Sequence, residues 1–113
     1  MDCIFCKIIN REIPATIVYE DERCLAFRDI SPQAPVHVLV IPKNHFASLR
    51  DAEETDEAVI GYVMRKCTAI AEQEGIRQSG FRTVINTGSD AQQSVFHLLV
   101  HLLGGRPMGW NPA

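Results

Sequence analysis

Two histidines, His97 and His101, lie four residues apart with Leu99 midway between them in the apolar run Val95–Leu103. On an extended strand alternate side chains share a face, so His97, Leu99 and His101 are expected on one side and Leu98, Val100 and Leu102 on the other. Two imidazoles beside an oxyanion can donate hydrogen bonds or shuttle protons. Equally, a half-buried strand can carry ordinary, internally satisfied histidines. The flanking residues favour chemistry: Ser89, Gln93 and Ser94 precede the pair, and Gly104 and Gly105 follow it, offering polar groups and an approachable backbone.

A second constellation is Cys3-x-x-Cys6, whose spacing lets two thiolates share one tetrahedral zinc. Two further ligands are then needed, and His45 and His97 are the natural candidates. Zinc so held is structural and ties the N-terminal segment to the histidine strand. A redox role for the pair needs a thioredoxin-like βαβ context, which residues 3–6 lack; two reduced thiols are the remaining alternative. Cys24 and Cys67 read as small core residues on a strand and a helix.

These residues must be held by a scaffold, and the rest of the chain describes one. Residues 17–28 form two β-branched and aromatic runs around the acidic turn Glu20, Asp21 and Glu22, a hairpin signal. His37–Ile41 is a third strand stopped by Pro42, preceded by a Pro-rich loop over 31–35. From Glu53 to Glu74 the apolar residues Val59, Ile60, Val63, Cys67, Ile70 and Ala71 recur at three- and four-residue steps. Acids crowd the start and Gly75 follows the end, which predicts one long amphipathic helix. Strands at Phe81–Asn86 and Val95–Leu103 complete the order, separated by polar turns over 87–94. The pattern predicts an α+β fold with a mainly antiparallel five-stranded sheet.

At 113 residues with a formal charge of −3, the chain is expected to be one domain, 1–113, without the basic surface that nucleic acid requires. The apolar runs fall far short of the roughly 20 residues that span a bilayer, so no membrane partner is expected. Asp2 and Cys3 interrupt any secretory leader, and a cytoplasmic location follows as an expectation.

The segment Gln93–Arg106, Gln-Ser-Val-Phe-His-Leu-Leu-Val-His-Leu-Leu-Gly-Gly-Arg, resembles the histidine-triad (HIT) signature, in which three histidines alternate ahead of Leu-Gly-Gly-Arg. Ile4–Ile9, Glu12–Ala15, Cys24–Phe27, Asp29–Pro35 and Ile41–Lys43 are similar to the Hint branch of that superfamily, in the same order. The resemblance implies a HIT-like fold with a short N-terminal helix, sheets joined across a homodimer, and a tail, 104–113, that reaches the partner through Trp110. It implies binding of purine nucleoside monophosphates such as AMP or GMP, and hydrolysis of phosphoramidates through a nucleotidyl-histidine intermediate. Some bacterial members use a Cys-Cys-His-His metal set like the one proposed above.

By the same resemblance, His101 matches the third triad histidine, His97 the first, and Ser94 the hydroxyl beside the phosphate and leaving group. Asp29 matches the ribose acceptor, Phe5, Ile8 and Phe27 the walls of the base pocket, and Asn86 and Gln93 polar residues near the phosphate. The nucleophile position, however, is Leu99, which has no lone pair to attack phosphorus. Losing a nucleophile costs on the order of 10⁴ to 10⁶ in turnover in other covalent enzymes, so binding with severely impaired catalysis is expected. A second departure is Gln92, where the family carries glycine next to Gln-Ser; its side chain can crowd the phosphate. Three readings follow: an impaired nucleotide hydrolase, a non-catalytic nucleotide-binding module, and a zinc-stabilised scaffold with a blocked pocket.

Overall fold

The computed structural model describes residues 3–111; the ends of the predicted domain and tail, including Pro112, lie outside the described residues. A short helix α1 (Ile4–Ile9) precedes the hairpin β1 (Ile17–Glu20) and β2 (Cys24–Arg28). Strand β3 (Val36–Pro42), helix α2 (Glu57–Gln73), and strands β4 (Phe81–Val84) and β5 (Val100–Gly104) follow. The five strands form one sheet in the order β1-β2-β3-β5-β4, and every neighbouring pair is antiparallel. This is the predicted α+β architecture.

Strand alternation divides the core between the two faces. Val38 and Val40 of β3 and Val100 and Leu102 of β5 face α2, where they pack with Val63, Cys67 and Ile70. Each large aliphatic side chain buried there contributes about 1.5–3 kcal/mol. Leu39 and Ile41 of β3 face the other way and pack with Phe5 and Ile8 of α1, Leu25 and Phe27 of β2, and the partly buried Leu99. Leu39 pairs directly with His101 across the β3–β5 ladder. The face covered by α1 is therefore the one that carries chemistry.

Three boundaries differ from the sequence expectation by two residues or more. The helix begins at Glu57 rather than Glu53, because residues 54–56 form a tighter 3₁₀ turn closed by a reciprocal cap in which the Glu53 N–H donates to Asp56 at 2.8 Å. Strand β4 stops at Val84, two residues early. Strand β5 starts at Val100, not Val95: the Leu98 N–H donates to the Phe46 carbonyl at 2.8 Å, which takes this backbone out of the β3 ladder. Thus only His101 of the two histidines lies on the paired strand. Among the described residues, no helix is long and apolar enough to cross a membrane.

The glycines after the histidines serve packing. A Cβ on Gly104 would lie 2.7 Å from Ile76, and Gly105 has φ +99° with Pro35 at 2.9 Å from such an atom. Gly104 thus lets the sheet end close on Ile76 and Gly105 on the 31–35 loop, and Arg106 extends the latter closure by donating to the Gln33 carbonyl at 2.9 Å.

Candidate functional site

His97 is fully buried, and both ring nitrogens have defined roles. Its Nε2 lies 2.8 Å from the Pro42 carbonyl, an obligate acceptor, so Nε2 carries the proton and Nδ1 keeps its lone pair. That lone pair points at Cys3 Sγ (3.3 Å), Cys6 Sγ (3.7 Å) and His45 Nδ1 (3.0 Å), and Cys6 Sγ lies 3.4 Å from His45 Nδ1. A tetrahedral ion with bonds of about 2.05 Å to nitrogen and about 2.3 Å to sulfur spaces its ligands about 3.3 Å (N–N) and about 3.6 Å (N–S) apart. The four residues therefore converge at the spacing of one tetrahedral ion and can hold a metal. The carbonyl behind His97 is the partner that fixes a metal-ligating tautomer.

The thiols fit that use. Cys3 caps the N-terminus of α1, its sulfur accepting the Cys6 N–H at 3.3 Å. Burial, together with the neighbouring Cys3, pushes the Cys6 thiol up to about 11, so without a cation this cysteine stays protonated at neutral pH. A metal would replace that proton. Cys24 and Cys67 are buried on the α2 side, and burial first of all lifts them to about 12 and about 11. They are inert core residues.

His101 sits in a different environment. Its Nδ1 lies 2.9 Å from Nε2 of His37, and His37 Nδ1 accepts the backbone N–H of Gln33 at 3.0 Å. A backbone N–H can only donate, so the neutral His37 must carry its proton on Nε2 and give it to His101. His101 Nδ1 is then an acceptor, and its own proton resides on Nε2. Desolvation lowers both imidazoles below the usual histidine range, which keeps them neutral. Asp29, His37 and His101 bring three donor atoms close together, but the Gln33 N–H commits His37 Nε2 to donating rather than ligating.

Two adjoining clefts open on this face. The larger, about 750 Å³, is lined by Phe5, Ile8, Ile13, Phe27, Leu39 and Val95, with Asp29 and Ser94 at its polar end. Phe5 and Phe27 meet edge to face with centroids 5.4 Å apart. The smaller, about 100 Å³, continues from Asp29 and Ser94 to Asn86, Gln92, Leu99 and His101. Residues expected to bind base, ribose and phosphate are thus drawn into one continuous depression.

Not all of them are free to bind. The Gln93 side chain donates to the carbonyls of Ala47 (2.7 Å) and Val95 (3.1 Å) and accepts the Gly88 N–H at 2.9 Å. Its amide braces the 88–95 loop. The Asn86 amide likewise donates to the Ala91 carbonyl at 2.8 Å. Asp29 divides its carboxylate: Oδ1 accepts the Ser31 N–H at 2.7 Å, capping the loop, while Oδ2 lies 3.5 Å from His37 Nε2. His37 and Gln33 were not among the expected site residues. Their signal was the parity of β3, which puts His37 on the face of Leu39, but its relation to His101 needs the β3–β5 register.

The HIT domain family pattern matches residues 10–108. The chain belongs to this family. It is 58% identical over 111 residues to an uncharacterised HIT-like protein of Synechococcus elongatus, covering 98% of this chain and 96% of that one. A 14 kDa zinc-binding protein of Zea mays is 53% identical, with 96% and 86% covered. A HIT family hydrolase from Legionella pneumophila superposes with a TM-score of 0.96 at 46% identity, over 99% of this chain and all of that one. The match begins at residue 10, so Cys3 and Cys6 lie ahead of the family pattern itself.

Proposed function

We propose that this HIT protein is a nucleotide-binding member of the Hint type whose hydrolytic step is severely impaired. The observation that carries this reading is Leu99 in the small cleft beside Ser94 and His101. The remaining parts suit a nucleoside monophosphate unit: an apolar slot between Phe5, Ile8 and Phe27 for a purine, Asp29 for a ribose hydroxyl, and Ser94 with the His101 N–H for phosphate oxygens. Neutral, fixed donors in a partly dry cleft stabilise an anion without reorganising. In a hydrolase of this type the middle residue attacks phosphorus and water then cleaves the covalent intermediate. Leucine, with no lone pair to attack, cannot form that intermediate.

The test is hydrolysis of an adenosine phosphoramidate by the chain and by Leu99→His. Turnover should rise by about 10⁴ or more in the histidine variant, with a nucleotidylated protein trapped in it alone. Equal turnover in both proteins would identify another nucleophile and sink this reading. A chain that binds no nucleotide at millimolar concentration is instead the metal-stabilised scaffold.

The ion suited to Cys3, Cys6, His45 and His97 is zinc, because two thiolates and two imidazoles in a tetrahedron match its preference. The name of the maize relative agrees with that assignment for its own chain. Zinc would act here as a structural clamp, with His97 as ligand rather than proton carrier. The homodimer is supported by Trp110, which is 91% exposed on the single chain and therefore does not fold back on its own core. A sedimentation mass of 12.6 kDa alone would overturn the dimer. The cellular compartment proposed is the cytoplasm.

A further inference from the structure

The chain holds 14 acidic and 11 basic residues, so carboxylates outnumber cations. Several cations pair accordingly: Arg11 and Lys43 share Glu20, Arg28 meets Glu74, and Arg77 meets Glu72. A cleft of about 530 Å³ between α2 and the β1–β2 turn departs from this pattern. Arg23, Tyr62, Arg65 and Lys66 line it, and it shares no residue with the two clefts on the α1 face. Among the described residues, neither the Arg23 nor the Arg65 guanidinium has an ion-pair or hydrogen-bond partner.

The local sequence explains why. On α2 the positions three and four residues from Arg65 are Tyr62, Thr68, Gly61 and Ala69, so helix periodicity gives it no acidic neighbour. Aromatic rings position the other two cations. The Arg23 guanidinium lies 4.3 Å from the centre of the Tyr62 ring, and Lys66 Nζ lies 5.0 and 5.1 Å from the rings of Tyr62 and Tyr19. Both tyrosines are anchored in turn, because their hydroxyls donate to Asp21 Oδ2. Stacking on a ring face holds a guanidinium without neutralising it and leaves its edge N–H groups for an anion. Asp21 Oδ2 also lies 3.9 Å from Lys66 Nζ, so this one carboxylate stands against three cations.

We propose that this cleft is a binding site for a chain of linked phosphates, free or carried on a nucleoside, separate from the cleft that holds Leu99. Its volume is that of a small-molecule site, which spans about 300–1,000 Å³. Guanidinium groups take phosphate oxygens two at a time, and Lys66 adds a point charge. A ligand whose charge repeats along its length meets cations from the turn and from α2 together, whereas one phosphate reaches only part of the set. An extended acidic peptide turns alternate side chains away from any one surface and so uses the cluster less fully. The site stands whether or not the Leu99 cleft takes a nucleotide.

Titration of the isotopically labelled chain with inorganic tripolyphosphate, followed by nuclear magnetic resonance, tests this. Resonances of Arg23, Tyr62, Arg65 and Lys66 should move with a dissociation constant below about 1 mM, and those of Ser94 and His101 should not. Orthophosphate should bind about tenfold more weakly, and added salt should weaken both. Arg65→Gln, which removes a side chain without a partner in the fold, should keep its melting temperature and bind tripolyphosphate about five- to tenfold more weakly. ATP distinguishes the two sources: movement of the same resonances admits a chain carried on a nucleoside, and their silence restricts the site to free oligophosphate. Tripolyphosphate shifts confined to Ser94 and His101, no shift at all, or unchanged affinity in Arg65→Gln overturns the proposal. Tighter binding of an oligoglutamate at the same residues assigns the surface to an acidic peptide and overturns it as well.

Discussion

The imidazole of His37 holds that of His101 in one tautomer: Nε2 of the first lies 2.9 Å from Nδ1 of the second, and the Gln33 N–H behind His37 fixes the direction of donation. The protonated nitrogen of His101 is consequently Nε2. Replacing His37 with phenylalanine keeps a buried ring and removes the donor. Nitrogen–proton correlation spectra of His101 should then change from a single Nε2–H tautomer to a mixture. The Gln33 N–H also loses its acceptor, so stability should fall by about 1–3 kcal/mol. An unchanged single tautomer in the variant would show that His37 does not direct His101.

Gln92 occupies a left-handed backbone conformation, φ 64° and ψ 33°, at the position where the resemblance to the HIT signature implies glycine. The glycine preference is thus partly a matter of backbone geometry. A non-glycine residue there costs about 1–2 kcal/mol, while glycine adds unfolded-state entropy worth about 0.4–1 kcal/mol. Gln92→Gly should therefore stabilise the protein by up to about 1.6 kcal/mol, measured by denaturant unfolding. Destabilisation would mean that the Gln92 side chain makes a compensating contact.

Part of this site was legible in the sequence where its residues lie on regular elements, as Phe5 and Ile8 do on α1, Phe27 on β2 and His101 on β5. Strand parity foretold that Leu99 and His101 share a face opposite Val100 and Leu102, and the apolar steps from Val59 to Ala71 located α2. What escaped depends on tertiary pairing. The strand expected from Val95 begins at Val100, since the Phe46 carbonyl captures the Leu98 N–H, a bond between segments that no local pattern encodes. His37 was missed for the same reason: its chemical value comes from Gln33 and His101, which converge only when β3 and β5 align. Gln93, a match to a phosphate neighbour, lines the small cleft while its amide braces the 88–95 loop, a set of bonds that needs Ala47 and Gly88 brought beside it.

Acid should destabilise the metal-free protein through its buried imidazoles. Desolvation lowers His37, His97 and His101 in the folded chain, whereas the unfolded chain titrates near 6.5. Below about pH 6.5 the unfolded state binds more protons, so stability present above that pH declines until the folded-state values are passed. Asp21 adds a second, more acidic phase. Its burial opposes ionisation, but hydrogen bonds from Tyr62, Tyr19 and the N–H groups of Arg23 and Cys24 outweigh it and hold the carboxyl well below the usual range. Its contribution is therefore lost only as pH falls below about 3.8. Unfolding free energies from pH 8 to below 3 should fall in these two windows, and Asp21→Asn should shrink the lower one, to which Glu20, held below the usual range by hydrogen bonds from Lys43 and Arg11, also contributes.

Metal removal tests the remaining cluster. With zinc bound, the apparent stability gain follows the ratio of free metal to Kd and reaches about 4 kcal/mol at a thousandfold excess. Chelation should lower the melting temperature while leaving the sheet and α2 folded, because the core on the α2 side contains none of the four ligands. Cys3→Ser removes one thiolate and the sulfur that caps α1, and should reduce metal content from about one ion per chain to a small fraction. Binding should also release protons, since Cys6 sits at about 11 before the ion arrives, so zinc affinity should rise with pH. Elemental analysis of the purified protein and its Cys3→Ser variant decides the matter: equal metal in both, or none in the unmodified chain, rejects this centre.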